Sequence, residues 1–183
     1  YPLVGNMQLP EGHKLLTTHT GGQLHDDAID LIVNVNPKTL YMKPDQYFRQ
    51  YDLQYPRHAA SNCYAFFGEQ DGLYFGSHDQ SLQQTWHGLR AYPSAPNHFD
   101  RLEAGFYRYP NAMCGDTWTC NASIVKPYMG QWTETSRIYR EWINTWWDKK
   151  DVPQWVNEMN GWQRIIFKHQ YGEYLRKYTD LPG

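Results

Sequence analysis

The sequence predicts a mainly-β protein: an antiparallel β-sandwich followed by a helical linker and the first strand of a truncated α/β barrel. Short strand-like segments separated by Pro, Asn, Gly and Ser recur between residues 61 and 125, which is typical of an antiparallel sandwich or barrel. A helical pattern of apolar residues begins at Thr133. Further along, the unbroken run Ile165-Ile166-Phe167 is typical of a strand covered on both faces, as in a parallel sheet.

The composition limits the class of protein. The chain has 183 residues, with 17 basic and 19 acidic side chains and a net charge of −2. This length suits one domain of ordinary size, or one domain with a fragment of another. Aliphatic residues are scarce, whereas there are 8 Trp and 15 Tyr, so we expect a wet, aromatic-lined surface. No run of 18 apolar residues and no basic stripe occurs, so we expect neither a membrane nor a nucleic acid as partner.

The first part of the chain predicts mostly irregular structure and one clear hairpin. Residues 1–60 are rich in turn formers, and only residues 29–35 have the composition of a strand. Residues 62–67 and 73–76 predict a β-hairpin in which Asp71-Gly72 supplies the positive φ of a tight turn. Further strands are predicted at residues 84–92, 102–109 and 117–125.

From Thr133 the apolar residues follow the period of a helix, and the stripe consists of Ile138, Tyr139, Trp142, Ile143, Trp146 and Trp147. Thr133 or Thr135 can cap this helix, and Arg137 with Glu141 adds an i,i+4 ion pair. The tryptophan stripe is either a sugar platform or the face that docks the helix on the sandwich. We favour docking, because an apolar helix face is first of all a packing face. Residues 148–151 predict a linker turn.

The end of the chain predicts the start of a second domain. A single parallel strand at Ile165-Ile166-Phe167 has no partner here, and Asp180-Leu181-Pro182 is typical either of a helix beginning or of a C-terminal turn. We therefore expect the chain to enter an α/β domain and to stop after its first strand and loop. The predicted domains are the sandwich, the helical linker and the opening of the barrel, at residues 1–132, 133–160 and 161–183.

Three stretches resemble a known family, and they lie at residues 72–79 (GLYFGSHD), 128–147 and 162–181. The family consists of multidomain glycoside hydrolase-like proteins, whose N-terminal β-sandwich is similar to the galactose-mutarotase-like supersandwich and leads through helices into a TIM-barrel catalytic domain. The resemblance implies a secreted or periplasmic protein whose partners are carbohydrate and its own C-terminal catalytic barrel.

The resemblance also implies where substrate would bind. If residues 164–169 form the first barrel strand, the residues after it lie at the catalytic rim. His169 and Gln170 could then hydrogen-bond sugar hydroxyls, and Tyr171 could stack on a sugar ring. Glu173 is the only carboxylate in this group, either at the rim or as a solvated loop charge. Glycoside hydrolysis needs two carboxyl groups, and the resemblance places them on later strands, so we assign no catalytic residue.

Other residues have structural and functional interpretations side by side. Trp86, Trp118 and Trp132 could form a carbohydrate face on the sandwich, but single tryptophans on strands are more often core residues. His78-Asp79 follows a hairpin strand, where an Asp most often hydrogen-bonds its own backbone to form a turn. We favour the structural interpretation for both groups.

The sequence predicts no metal and no cofactor. His-x-x-x-His and Cys-x-x-Cys spacings are absent, as are Gly-x-Ser-x-Gly, phosphate-binding and dinucleotide-binding motifs. Cys114 and Cys120 could close a short disulfide loop in an oxidising compartment, or they and Cys63 could be free thiols in a reducing one.

We therefore predict a non-catalytic accessory N-terminal region of a glycoside hydrolase, which braces the catalytic barrel and lines one side of its sugar cleft. The chain alone is expected to be inactive. The alternative is a free-standing, lectin-like carbohydrate-binding module, and a third possibility is a purely structural or protein-binding sandwich.

Overall fold

A computed structural model of the protein describes residues 3–35, 48–95, 98–148 and 151–159. The chain divides into two compact units, Tyr1–Trp147 and Asp148–Gly183. In the second unit the described residues contain helix α3 (Gln154–Asn157). The predicted barrel strand at residues 164–169 lies outside the described residues.

The first unit consists of two antiparallel sheets, which confirms the mainly-β, sandwich-like architecture. In chain order its elements are β1 (Leu3–Met7), β2 (Lys14–Thr17), β3 (Gln23–His25), α1 (Ala28–Asp30) with a π-helical turn (Leu31–Val35), β4 (Arg49–Tyr55), β5 (Cys63–Phe67), β6 (Asp71–Ser77), β7 (Thr85–Ala95), β8 (His98–Tyr107), β9 (Ser123–Met129) and α2 (Thr133–Ile143). The four-stranded sheet has the order β1-β8-β7-β4, and the five-stranded sheet has the order β3-β2-β5-β6-β9.

The main core lies between the two sheets and is largely aromatic. Tyr64 of β5 stacks on Phe75 of β6 with the ring centroids 4.9 Å apart, and Phe106 of the other sheet lies 5.5 Å from the Tyr64 ring. The Tyr64 hydroxyl donates a hydrogen bond of 3.1 Å to the carbonyl of Gly105 in β8. A ring therefore fills the core and its polar atom ties one sheet to the other, which compensates for the scarcity of aliphatic residues.

Strand β5 is buried on both of its faces. Successive side chains of a strand point to opposite faces, so Tyr64 lies in the main core while Cys63 and Ala65 belong to a second apolar cluster. That second cluster includes Ile138 of α2. Helix α2 thus packs on the outer face of the five-stranded sheet.

The outer face of the four-stranded sheet is held by Arg90. Its guanidinium donates to Glu103 and to Gln50, in each case at 2.9 Å, and so connects strands β4, β7 and β8. The same group lies 5.0 Å from the ring centre of Phe48 and 5.1 Å from that of Tyr107. Since Arg90 uses its donors within the protein, this charged cluster stabilises the sheet face.

Residues 29–35 are helical, so the strand predicted there is wrong. The Asp27 carboxylate accepts hydrogen bonds from the backbone N–H groups of Ile29 (2.7 Å) and Asp30 (3.1 Å), which starts a helical turn. The turn then buries residues at helical spacing against the main core, namely Ala28, Leu31 and Ile32. The cap and this burial outweigh the β-branched composition.

The rest of residues 1–60 is also more regular than predicted, because it contains strands β1 to β4. Strand β1 pairs with β8, and β4 pairs with β7. These partners lie far away in the sequence, so local composition does not reveal the pairing.

The predicted hairpin is confirmed as β5 and β6, but its turn is not where we predicted it. Asp71 and Gly72 lie inside β6, paired with Met129 and Tyr128, and the connection is formed by residues 68–70. A Cβ atom on Gly72 would overlap the Tyr128 ring. The glycine is therefore needed for this close packing and not for the positive φ of a turn.

Of the other predicted strands, residues 84–92 and 102–109 are confirmed as β7 and β8. The strand predicted at residues 117–125 is largely wrong, because β9 begins only at Ser123. Residues 117–122 belong instead to an exposed loop.

Helix α2 is confirmed, as is its ion pair between Arg137 and Glu141. The predicted cap is wrong, since neither Thr133 nor Thr135 caps the helix with its side chain. Thr135 is buried and its hydroxyl lies 3.1 Å from the hydroxyl of Tyr128. The threonine is therefore used to dock the helix on β9.

The glycines that lie beneath tyrosine rings provide a test of the fold. A Cβ atom on Gly88 would overlap the ring of Tyr107, so Gly88→Ala should lower the free energy of unfolding by about 1–3 kcal/mol. Gly5→Ala in the same sheet is the matched control, because its Cβ would meet only Glu103 at 3.8 Å. Urea denaturation measures both variants, and an equal loss of stability in both would contradict the ring-over-glycine packing.

Candidate functional site

The predicted turn at His78-Asp79 is confirmed. Asp79 is buried, and its carboxylate accepts hydrogen bonds from the backbone N–H of Ser81 (2.9 Å) and from the Ser81 hydroxyl (2.6 Å). The side-chain amide of Asn121 also donates to this carboxylate. Asp79 thus forms the turn after β6 and holds the end of the loop that leads into β9.

The charge of Asp79 is maintained by its neighbours. Burial raises the pKa of the Asp79 carboxyl. The hydrogen bonds from Ser81 and Asn121 and the positive charge of Arg108 lower this pKa, and together they outweigh the effect of burial. The pKa of Asp79 therefore lies below its ordinary value, and the group is a carboxylate at neutral pH.

His78 joins the same turn to helix α2. Its ring stacks on Trp142 with the centroids 4.6 Å apart, and its Nε2 lies 2.8 Å from the hydroxyl of Tyr74. Burial lowers the pKa of His78, so the ring is neutral at neutral pH. The tryptophan stripe is a packing face at Trp142, as we predicted, whereas Trp147 is half exposed.

A groove opens beside this turn, between the start of β7 and the loop after β8. Its volume is about 280 Å³, and its lining consists of Gln83, Gln84, Arg108, Tyr109, Pro110, Asn111 and Trp118. The aromatic members are open to solvent, with Tyr109 exposed by 72 % and Trp118 by 38 %. We call this feature the Trp118 groove.

Arg108 forms the inner wall of the Trp118 groove. Its guanidinium donates to the hydroxyl of Ser77 and, at 3.4 Å, to the carbonyl of Asn121, which fixes the side chain against the Asp79 turn. Its Nε is buried and has no hydrogen-bond partner among the residues that the structure describes. Arg108 therefore serves mainly to fix the groove against the Asp79 turn.

The three tryptophans singled out in the sequence lie in different places. Trp118 lines the groove, Trp132 lines a larger cleft beside α2, and Trp86 is half-buried on β7. The interpretation as core residues is wrong for Trp118 and Trp132, each of which is 38 % exposed. Neither lies on a strand, since Trp118 is part of an exposed loop and Trp132 is the N-cap residue of α2.

Sequence reasoning missed the polar side chains of the groove, namely Gln83, Gln84, Arg108 and Asn111. They come from two segments that are distant in sequence, and no spacing pattern connects them. The predicted substrate-binding residues His169, Gln170, Tyr171 and Glu173 lie outside the described residues.

Within the described ranges, no three His, Cys, Asp or Glu side chains lie close enough to hold a metal ion. All three cysteines are free thiols, with Cys63 buried and Cys114 and Cys120 exposed. No helix in the described part of the chain combines the length and the apolarity that crossing a membrane requires.

No protein-family model, no curated protein and no solved structure matches the chain. The function must therefore be inferred from the residues of the chain itself.

The Asp79 turn predicts a pH-dependent stability. Asp79→Ala should lower the free energy of unfolding by about 1–3 kcal/mol at neutral pH, because it leaves three donors without their acceptor. The folded pKa of Asp79 is lowered, so this stabilisation is complete above about pH 4, the pKa of an unfolded Asp, and is lost as the pH falls through the folded value.

Urea denaturation of the wild type and the variant between neutral and acidic pH measures this difference. Asp79→Asn is the matched control, since it keeps one acceptor oxygen and should show a smaller loss with little pH dependence. A loss that stays constant at acidic pH would contradict the role of the charged carboxylate.

Proposed function

We propose that the chain is a non-catalytic accessory region of a glycoside hydrolase, and that its β-sandwich binds carbohydrate in the Trp118 groove. The groove supports the carbohydrate-binding part of this proposal, because it combines an exposed indole with a set of amide side chains. The accessory role in a hydrolase is supported by the family resemblance of the sequence. In this role the sandwich also braces the catalytic barrel implied by the family resemblance and lines one side of its sugar cleft.

The chemistry of the groove suits a sugar. Sugar hydroxyls both donate and accept hydrogen bonds, and so do the side-chain amides of Gln83, Gln84 and Asn111. The Trp118 indole offers a flat apolar face for the C–H face of a sugar ring. The volume of about 280 Å³ lies at the lower limit of ligand pockets, which favours a single sugar ring.

Binding rather than hydrolysis is the role that the groove supports. Glycoside hydrolysis requires two carboxyl groups on either side of the scissile bond. Among the described residues that line the groove, none carries a carboxylate. The nearby Asp79 carboxylate is buried and engaged with Ser81 and Asn121.

The catalytic groups would then belong to the barrel. His169, Gln170 and Tyr171 remain proposed substrate-binding residues of its first strand and loop, together with Glu173.

The second candidate function is a free-standing carbohydrate-binding module. The groove favours it too, since all of its lining residues belong to the first compact unit. The two functions differ in whether a catalytic barrel accompanies the sandwich. The accessory function predicts a barrel-containing protein that hydrolyses glycan and whose KM rises on loss of Trp118, whereas a free-standing module predicts glycan binding without hydrolysis.

The proposal predicts tryptophan-dependent glycan binding. Trp118→Ala should weaken the binding of a glycan selected on a glycan array about tenfold or more, because buried tryptophans dominate binding interfaces. Isothermal titration calorimetry on the full chain measures this affinity. The side chain is part-exposed, so the thermal midpoint should stay unchanged.

Trp132→Ala is the matched control, since this equally exposed tryptophan lines a different cavity. It should change glycan affinity by less than about twofold. A chain that binds no glycan on the array, or two variants that lose affinity equally, would contradict binding in the Trp118 groove.

A further inference from the structure

A second, larger cavity lies beside helix α2, and the proposed function does not use it. It has a volume of about 660 Å³, which is within the usual range of ligand sites. One wall comes from α2 and the residue before it, and the other comes from β2, β3 and the segment around Ser61. We call this cavity the α2 cleft.

The floor and much of the walls of the α2 cleft are apolar. Leu16 and Cys63 are buried beneath it, and Ile143 of α2 is half-buried at its side. Leu24 of the edge strand β3 is 50 % exposed, and it lines with Trp132 a concave surface that water must fill when the cleft is empty. Displacing this water from apolar walls would favour an apolar ligand.

The hydroxyl groups of Thr18 and Ser136 line the cleft and differ in their contacts. The Thr18 hydroxyl is already used, since it donates to the carbonyl oxygens of Ser61 (2.7 Å) and Cys63 (3.2 Å). Ser136 lies on the exposed face of α2 at the cleft. These hydroxyls orient the walls and supply no charge.

Among the described residues that line the cleft, Arg140 is the one with a positively charged side chain. Arg140 of α2 is exposed, and within the described ranges it forms no ion pair. Its helix neighbour Arg137, by contrast, pairs with Glu134 at 2.6 Å and with Glu141. Among the described residues that line the cleft, none carries a carboxylate, so the charge of Arg140 is not compensated there.

We propose that the α2 cleft binds a small organic anion with an apolar body, such as a sulfonate or carboxylate on an aromatic ring. The apolar body lies against Leu16, Leu24 and Trp132, and the anionic group pairs with Arg140. A second copy of the chain and a peptide added to the edge strand β3 are the competing occupants.

Two fluorescent probes of almost equal shape test the proposal on the full 183-residue chain. Anilinonaphthalene sulfonate carries an anionic group, and N-phenylnaphthylamine is its neutral counterpart. We expect saturable one-to-one binding of the sulfonate to the native protein. Arg140→Gln should weaken the sulfonate about threefold to tenfold and the neutral probe less than about twofold, because only the sulfonate loses a charge-assisted contact.

Three variants serve as controls. Arg140→Lys should restore most of the sulfonate affinity, and Arg137→Gln should leave it unchanged, because Arg137 does not line the cleft. Ser136→Phe should block both probes by filling the cleft from its exposed rim. Trp118→Ala should change neither probe, so failure of carbohydrate binding in the Trp118 groove and failure of this proposal can be told apart.

The proposal is overturned by equal weakening of both probes in Arg140→Gln, by an equal effect of Arg137→Gln, or by probe binding that survives Ser136→Phe. A concentration-dependent dimer in analytical ultracentrifugation that Ser136→Phe dissociates would assign the cleft to a second copy instead. Urea denaturation of each variant verifies that the protein is folded, and both arginines are exposed, so their replacement should preserve the fold.

Discussion

The two-sheet arrangement depends on the largely aromatic core between the sheets, whose Tyr64 hydroxyl is satisfied across the core by the Gly105 carbonyl. A core made of aromatic rings places polar atoms in the interior, and each of these atoms needs a hydrogen-bond partner.

The same requirement applies to His87, whose Nε2 lies 3.0 Å from the side-chain oxygen of Asn62. Burial lowers the pKa of His87 to about 3, so it stays neutral. Asn62 in turn donates its backbone N–H to Tyr139 of α2 at 3.2 Å. The polar ties of the core thus extend outward to the helix that borders the α2 cleft.

Two tyrosine rings pack directly against glycines of strand β6. Tyr128 lies over Gly72, and the Tyr74 ring occupies the space that a Cβ atom on Gly76 would need. Both rings belong to the apolar cluster that contains Ile138, so they cover the backbone at these glycines and contribute to the surface under α2. Residues 72–79 therefore form part of the surface on which helix α2 packs. His78 also contacts the helix, because its ring stacks on Trp142.

The sequence was informative where the decisive interactions are local. The two strands of the β5–β6 hairpin, the long strands β7 and β8, helix α2 and the Asp79 turn could be predicted, because composition, periodicity and Asp turn chemistry act over a few residues. The Asp71-Gly72 turn signal was misleading, since both residues lie inside β6. The helical turn at α1 had a local signal, since Asp27 is a good N-cap residue. The β-branched residues that follow Asp27 favoured a strand instead. Pairing of β1 and β4 depends on partners that are distant in the chain. The groove could not be predicted for the same reason, since Gln83 and Trp118 meet only after folding.

Strand β5 has apolar side chains packed on both of its faces and hydrogen-bonded strands on both of its edges. Its amides can reach water only when both apolar clusters open together. Deuterium should therefore enter β5 only through global unfolding, at the slowest rate in the first unit. The exposed loop at residues 109–122 should take up deuterium within the native state. The Trp118 groove would then have a rim that opens often, whereas the α2 cleft, to which β5 contributes Cys63, would have a floor that does not open locally.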